Sequence, residues 1–361
     1  WLTAGRRLHI MAASPQGRWS AGSVAVSNLT SDPKQAAATL YAIKTSMVRF
    51  NARAPQVELP VLGRILARER ATWANLTPQR HSFGTSPATP EVSIIIPLYG
   101  RTDFVEHQLM DFARDPWLRD HAEVVYVMDD PRLAESFPAD AAEVFAMQQM
   151  PFRLVWGEVN RGFSGANNLG AAEARAPRLL FMNSDVFPRR PGWLQDLVQV
   201  LDTRPEFGAL APRLLFADGS IQHAGMINRR HDHFGIWINH HPLMGFDPAM
   251  DPHHGPTEVP LVTGACVLMR RADFDRVGGW DTGYLIGDFE DSDLCFKIRE
   301  AGLKIGYVPE VELTHLERQS FGMVGEDGFR LRVTIGNALR HQARWPHYLD
   351  AVSYTHLRAH E

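Results

Sequence analysis

EVSIIIPLYGRTDF, residues 91–104, decides the fold. Residues 92–98 form a nearly unbroken apolar run of strand length, the pattern of a strand buried on both faces in a parallel sheet. A helix is expected from about Thr102. The unit then repeats. AEVVYVM (122–128) reads as a second buried strand and ends in Asp129-Asp130. FRLVW (152–156) is a third, residues 164–174 are expected to be helical, and RLLFM (178–182) is a fourth strand ending in Asn183-Ser184-Asp185. This order predicts an α/β fold with a mostly parallel sheet and right-handed crossovers. Ligands in such sheets bind beyond the carboxyl ends of the strands, and acidic residues stand at two of those ends.

The pattern weakens away from this centre. Strands are expected near 209–216 and 259–269, and residues 228–258 form a long polar stretch without a period. A loop of that length in a compact domain is usually functional or mobile. It carries six histidines, at 231, 233, 240, 241, 253 and 254, which suit either a mobile cover or a second metal site. Upstream, residues 1–76 read as the end of a preceding module. Asp32-Pro33 is an N-cap with proline at the first helical position. An Ala-rich helix is expected to run from there to about Phe50, and a second over 61–76. Nothing in this segment announces chemistry. A Pro/Ser/Thr-rich linker spans 77–90, the sheet domain 91–322 and a helical extension 323–350. Residues 351–361, with YTHLRAHE at 354–361, are expected to be non-native, and the natural start is expected to lie upstream of Trp1.

The chain has 361 residues, of which 45% are apolar and 22% charged, an ordinary globular balance. A net charge of −4 gives no general attraction to nucleic acid or anionic lipid. The two cysteines, Cys266 and Cys295, lie among apolar residues and are expected to be buried free thiols. No apolar run approaches the roughly 18 residues of a spanning helix.

Three segments carry chemistry. In Asn183-Ser184-Asp185, a carboxylate just past a buried strand needs a partner. Either a divalent cation, Mg²⁺ or Mn²⁺, or the first turn of a following helix supplies it. In DFEDSD (288–293), four carboxylates in six residues repel one another. One is expected to have a raised pKa, as suits a general base, and the alternative is an acidic first helical turn. His315 ends the run that follows and is either structural or a further ligand to a cation at Asp185. NRGFSGANN (160–168) joins a strand to a helix, with small residues that permit close backbone approach and a helix N-terminus that attracts phosphate.

Taken together, VSIIIPLYGR, YVMDDP, NRGFSGANNLG, FMNSDV, TGACVLMRR, GGWD and FEDSDLCFKIREAG with YVPEVELTH resemble, in order and spacing, the family-2 glycosyltransferases of GT-A fold. The likeness runs from about Glu91 to Gly322. DGSIQHAG (218–225) resembles rhamnosyltransferase-like members that build O-antigen and other surface polysaccharides. The resemblance implies a metal-dependent, inverting transfer from a nucleoside diphosphate sugar to a glycan or lipid-linked glycan, in the cytoplasm, with room for peripheral contact at the inner face of a membrane. It implies that Pro97, Tyr99, Arg101, Asp129, Asp130, Asn160, Gly162, Asn168, Asn183 and Ser184 bind the nucleotide sugar. Asp185 and His315 would hold the cation. Asp291 would be the base, supported by Glu290. Gly264, Ala265, Trp280, Asp281 and Asp288 would line the acceptor side. Asn183 replaces the first Asp of the DXD-type element, Gly100 stands where the family often has Asn, and Pro131 replaces the Gly of VVDDGS. A sugar-nucleotide pyrophosphorylase would need a Gly-rich basic loop where Tyr99-Gly100-Arg101 stands. A non-catalytic glycan-binding protein would not need both acidic sites.

Overall fold

All four apolar runs form strands with the expected bounds. The computed structural model describes residues 7–13, 19–25, 30–43, 45–316 and 327–349, so the tail 351–361 lies outside the described residues. In chain order, the hairpin β1 (Arg7–Ala13) and β2 (Trp19–Ala25) precedes helices α1 (Pro33–Tyr41), α2 (Met47–Arg53) and α3 (Glu58–Trp73). The first half of the central domain follows: β3 (Gln79–Phe83), β4 (Val92–Leu98), α4 (Asp103–Ala113), α5 (Pro116–His121), β5 (Ala122–Met128), α6 (Pro131–Gln148), β6 (Phe152–Trp156), α7 (Gly162–Glu173), β7 (Arg178–Met182), β8 (Val186–Pro188) and α8 (Trp193–Thr203). The second half holds β9 (Phe207–Leu215), β10 (Ile221–His223), β11 (Ile227–His231), β12 (Ile236–His240), β13 (Thr257–Glu258), β14 (Cys266–Arg270), α9 (Arg271–Arg276), α10 (Glu290–Glu300), β15 (Lys304–His315) and α11 (Asp327–Arg344).

The main sheet runs β13-β15-β9-β14-β7-β4-β5-β6-β3, with β10 added to β9 and β8 to β15. Its centre, β6-β5-β4-β7, is parallel, and the chain reverses direction across the sheet between β4 and β7. That switch point opens a crevice beyond the carboxyl ends of these strands. Ile94 and Ile96 of β4 face one core with Tyr126 and Trp193, while Ile95 faces the other with Val127 and Phe181. Each fully buried isoleucine contributes roughly 1.5–3 kcal/mol. Gly170 lets α7 lie directly on β4, since a Cβ there would meet Ile95 Cγ2 at 2.3 Å.

Several elements differ from the sequence expectation. The first helix stops at Tyr41, and a second starts at Met47 because Ser46 offers a new N-cap to Arg49 N. α3 begins at Glu58, with Pro60 tolerated in its first turn. The expected linker contributes a strand: β3 pairs antiparallel with β6 at the sheet edge, with Phe83 stacked on Phe152 at 4.8 Å. The strand expected over 259–269 is extended in the sheet only from Cys266 to Arg270, because Pro260 cannot donate to a ladder and the chain turns at Gly264-Ala265. The polar stretch 228–258 is not aperiodic loop. β11 and β12 pair in register from Ile227↔His240 to His231↔Ile236. Ile236 also joins Ala37, Phe50, Leu285 and Val333 in a core that binds the N-terminal helices to α11.

Candidate active site

A cleft of about 560 Å³ opens at the switch point. Pro97 and Tyr99 at the end of β4, Asp129 at the end of β5, and Asn160 and Gly162 before α7 line one end. Asp129 Oδ1 accepts from Arg161 N at 2.6 Å, and Asn160 Nδ2 donates to the Asp129 carbonyl. Burial pushes the Asp129 carboxyl up to about 7, against the backbone N–H groups of Arg161 and Gly162 and the charge of Lys34. Gly100 has φ +74°, a conformation that glycine and asparagine favour, which explains how Gly replaces Asn there. Pro131 opens α6 behind its N-cap Asp130, so its departure from the family pattern is also local helix chemistry.

Asn183, Ser184 and Asp185 line the middle of the cleft. The β15–β8 register sets His315 opposite Val186 and so beside Asp185. His315 Nε2 lies 3.2 Å from Asp185 Oδ1. On the other side of the ring, Gln222 Oε1 stands 3.0 Å from Nδ1, which therefore carries the proton. The Nε2 lone pair thus faces a carboxylate and has no hydrogen-bond partner of its own. Two such atoms repel unless a proton or a cation sits between them. A carboxylate and a neutral imidazole are a donor set that fits Mn²⁺ or Mg²⁺ completed by substrate phosphate. Among the described residues no group of three or more His, Cys, Asp or Glu side chains is gathered for a metal, in the histidine-rich stretch or elsewhere.

The acidic cluster forms the third part. Ile286 and Asp288 line the cleft, and Ile286, Asp288 and Phe289 all have φ between +68° and +74°. Left-handed backbone at non-glycine residues costs about 1–3 kcal/mol each and persists only where the surroundings hold it. Here α11 holds it: Asn337 donates to the carbonyls of Leu285 and Gly287 and accepts from Leu285 N. Asp288 Oδ2 accepts from Thr334 Oγ1 at 2.7 Å. Asp291 stands just behind the cleft wall. Its Oδ2 accepts from Gly264 N at 3.4 Å, and its Oδ1 from Ser292 N at 2.7 Å and Asn239 Nδ2 at 3.1 Å. Burial, with Asp288 adding to it, raises Asp291 to about 6 against the N–H groups of Ser292 and Gly264. Burial, then the charges of Asp291 and Asp288, pushes Glu290 well above the ordinary carboxyl range.

Not every expected residue reaches the cleft wall. Arg101 pairs with Asp103, and Asp130 caps α6 and pairs with Arg132. Asn168 spends its amide on the backbone N–H and C=O of Trp280. Trp280 itself is core, Ala265 bonds through its carbonyl to Asn183 N, and Asp281 is ion-paired with Arg340 of α11. Gly264 enters as the N–H donor to Asp291. Other cleft residues escaped sequence reading: Lys34 of α1, Gln222 of β10, Thr263, and Arg330 and Thr334 of α11. Of the six loop histidines, only His241 lines the cleft. Burial and the neighbouring His240 and His315 lower its pKa to about 4.

The sequence model of glycosyl transferase family 2 matches residues 93–278. The O-antigen biosynthesis protein RfbC of Myxococcus xanthus is 30% identical over 243 residues, which are 64% of this chain and 18% of that protein. This chain therefore spans less than a fifth of that relative. The N-acetylglucosaminyl-diphospho-decaprenol L-rhamnosyltransferase of Mycobacterium tuberculosis is 29% identical over 208 residues, 53% of this chain and 67% of that one. The crystal structure of GalNAc-T7 with UDP, GalNAc and Mn²⁺ superposes with TM-score 0.51 at 16% identity, covering 64% of this chain and 45% of that one, a likeness of fold.

Proposed function

The chain belongs to glycosyl transferase family 2, and we propose that it is an inverting enzyme, using a nucleoside diphosphate sugar to glycosylate a glycan or lipid-linked glycan in surface-polysaccharide synthesis. The observation that carries this reading is the grouping around one cleft of the Asp129–Asn160 end, the Asp185–His315 pair and the strained acidic loop. In the proposed reaction the nucleotide lies along Tyr99, Asp129, Asn160 and Gly162. Asp185 and His315 would hold a divalent cation, which when bound neutralises charge on the leaving diphosphate. Asp291 takes the proton of the acceptor hydroxyl. The acceptor oxygen bonds to the anomeric carbon as the bond to the diphosphate oxygen breaks with its electron pair, which inverts that carbon. Asp288 and Thr334 face the acceptor. Arg101, Asp130 and Asn168 act as supports, as do Trp280 and Asp281.

Purified protein incubated with a panel of uridine, guanosine and thymidine diphosphate sugars and Mn²⁺ should release the nucleoside diphosphate from one of them, faster with acceptor. No release from any donor would sink the proposal. Synthesis of a nucleotide sugar from a nucleoside triphosphate and a sugar phosphate would replace it with a pyrophosphorylase.

The hairpin β11–β12 gives a second expected result. Asn239 donates to Asp291 and so favours the charged form of the base. Asn239→Ala should therefore move the acid limb of the pH–rate profile to higher pH, with a several-fold loss of turnover at neutral pH. A limb left in place would show that the hairpin does not tune the base.

A further inference from the structure

We infer that Lys34, delivered by the N-terminal helix α1, is a nucleotide-contacting residue of the cleft, so that the helices ahead of the family domain complete the donor site. The inference rests on the nucleotide-sugar reading above and deepens it. Lys34 is the second residue of α1, fixed there by its neighbours: Asp32 Oδ1 accepts from Gln35 N at 2.9 Å, and Pro33 opens the helix. A cation in a helix's first turn opposes the helix dipole, so this position does not serve α1 itself. Its Nζ instead crosses to the sheet domain. It donates to Asn160 Oδ1 at 2.9 Å and sits 5.2 Å above the centre of the Tyr99 ring. It lines the same cleft as Asp129 and Gly162. Among the described lining residues, the only lysine or arginine besides Lys34 is Arg330 of α11.

An ammonium group has three N–H donors and no acceptor. Asn160 takes one. The half-exposed amine can turn the others to the oxygens of a nucleotide lying between Tyr99 and Gly162. The packing makes the delivery rigid rather than incidental. Ala36, Ala37 and Tyr41 of α1 are buried in a core shared with Phe50, Leu285 and Val333. Arg332 of α11 donates to the carbonyls of Tyr41 and Thr45. The helix that carries Lys34 is thus clamped to the helix that carries Thr334 and Asn337, and both ends of the cleft are anchored to one unit.

The test is calorimetry on the full chain with uridine, guanosine and thymidine diphosphate in the presence of Mn²⁺, using whichever binds wild type. Lys34→Met keeps the length of the side chain and removes its charge. It should weaken that diphosphate by about tenfold or more, as expected for a hydrogen bond from a charged donor. The melting temperature should be unchanged, and the loss should appear in the KM for the donor more than in kcat. Lys34→Arg should recover part of the affinity. In an Asn160→Ala background the Lys34→Met loss should persist. If it vanishes there, Lys34 only braces Asn160 and direct contact is overturned. If wild type and Lys34→Met bind alike, the inference fails while the nucleotide reading stands. If wild type binds none of the three diphosphates, both fail.

Discussion

Asp291→Asn should lower turnover by about 10²–10⁴-fold, the usual contribution of a general base, with donor affinity nearly unchanged. The change keeps the shape of the side chain and removes its basicity. Asp291 has the attributes the role requires. It is half-buried at the start of α10, whose Leu294 and Ile298 are buried in the core and hold the backbone still. Its pKa is raised to about 6, close enough to neutrality for the carboxylate to be both mostly ionised and usefully basic. The sign of the pH dependence follows. The ionised form is active, so turnover should climb as pH rises through about 6 and level off above it. Glu290 behaves differently. Burial, then the charges of Asp291 and Asp288, pushes its carboxyl well above the ordinary range and so favours its uncharged form, and Glu290→Gln, which keeps shape without charge, should be mild. Asp288 is the rival, because it lines the cleft and Asp291 does not. Near-normal turnover in Asp291→Asn with a dead Asp288→Asn would transfer the role to Asp288.

The part of the fold legible in the sequence is the part held by burial on both faces. Residues 92–98, 122–128 and 178–182 read as buried parallel strands, and the ends of the last two point to Asp129 and Asp185. The pairing of Asp185 with His315 was proposed from residue chemistry, yet what produces it is the β15–β8 register, which no local pattern encodes. Lys34 and Asn239 carried no signal because their roles arise from packing of α1 and of the β11–β12 hairpin onto the domain, contacts made 126 and 52 residues apart in the chain. Asn168, Trp280 and Asp281 show the converse. Their motif positions suggest ligand contact, but a motif does not distinguish a residue that touches ligand from one that holds such a residue in place. Asn168 and Trp280 lock α7 to the segment ahead of the acidic loop, and Asp281 ties that segment to Arg340 and Arg344.

Asp185→Ala should abolish transfer, by about 10²–10³-fold or more, as when a group that stabilises developing charge is removed. Asn183 stands two residues ahead of Asp185, and its backbone is occupied, its N–H with the Ala265 carbonyl and its C=O with Gln108 Nε2. In the proposed reaction the cation contact falls to Asp185 and His315. Losing the carboxylate removes the charged one of the two proposed protein ligands, whereas His315→Ala leaves it and should cost less. The fold should survive, because the side chain of Asp185 pairs with His315 at the cleft. A readout independent of activity separates cation binding from packing. A ligand that binds only the native state raises its stability by mass action. Mn²⁺ with a nucleoside diphosphate should therefore raise the melting temperature of wild type and leave that of Asp185→Ala unmoved. Gln222→Ala releases the Nδ1–H of His315 and should weaken Mn²⁺ binding by about 10-fold, the lower end for a group that orients a metal-ligating histidine. Full transfer in excess chelator, or an equal Mn²⁺-dependent rise in melting temperature for Asp185→Ala, would mean that the Asp185–His315 contact is an ion pair of the protein and not a seat for the cation.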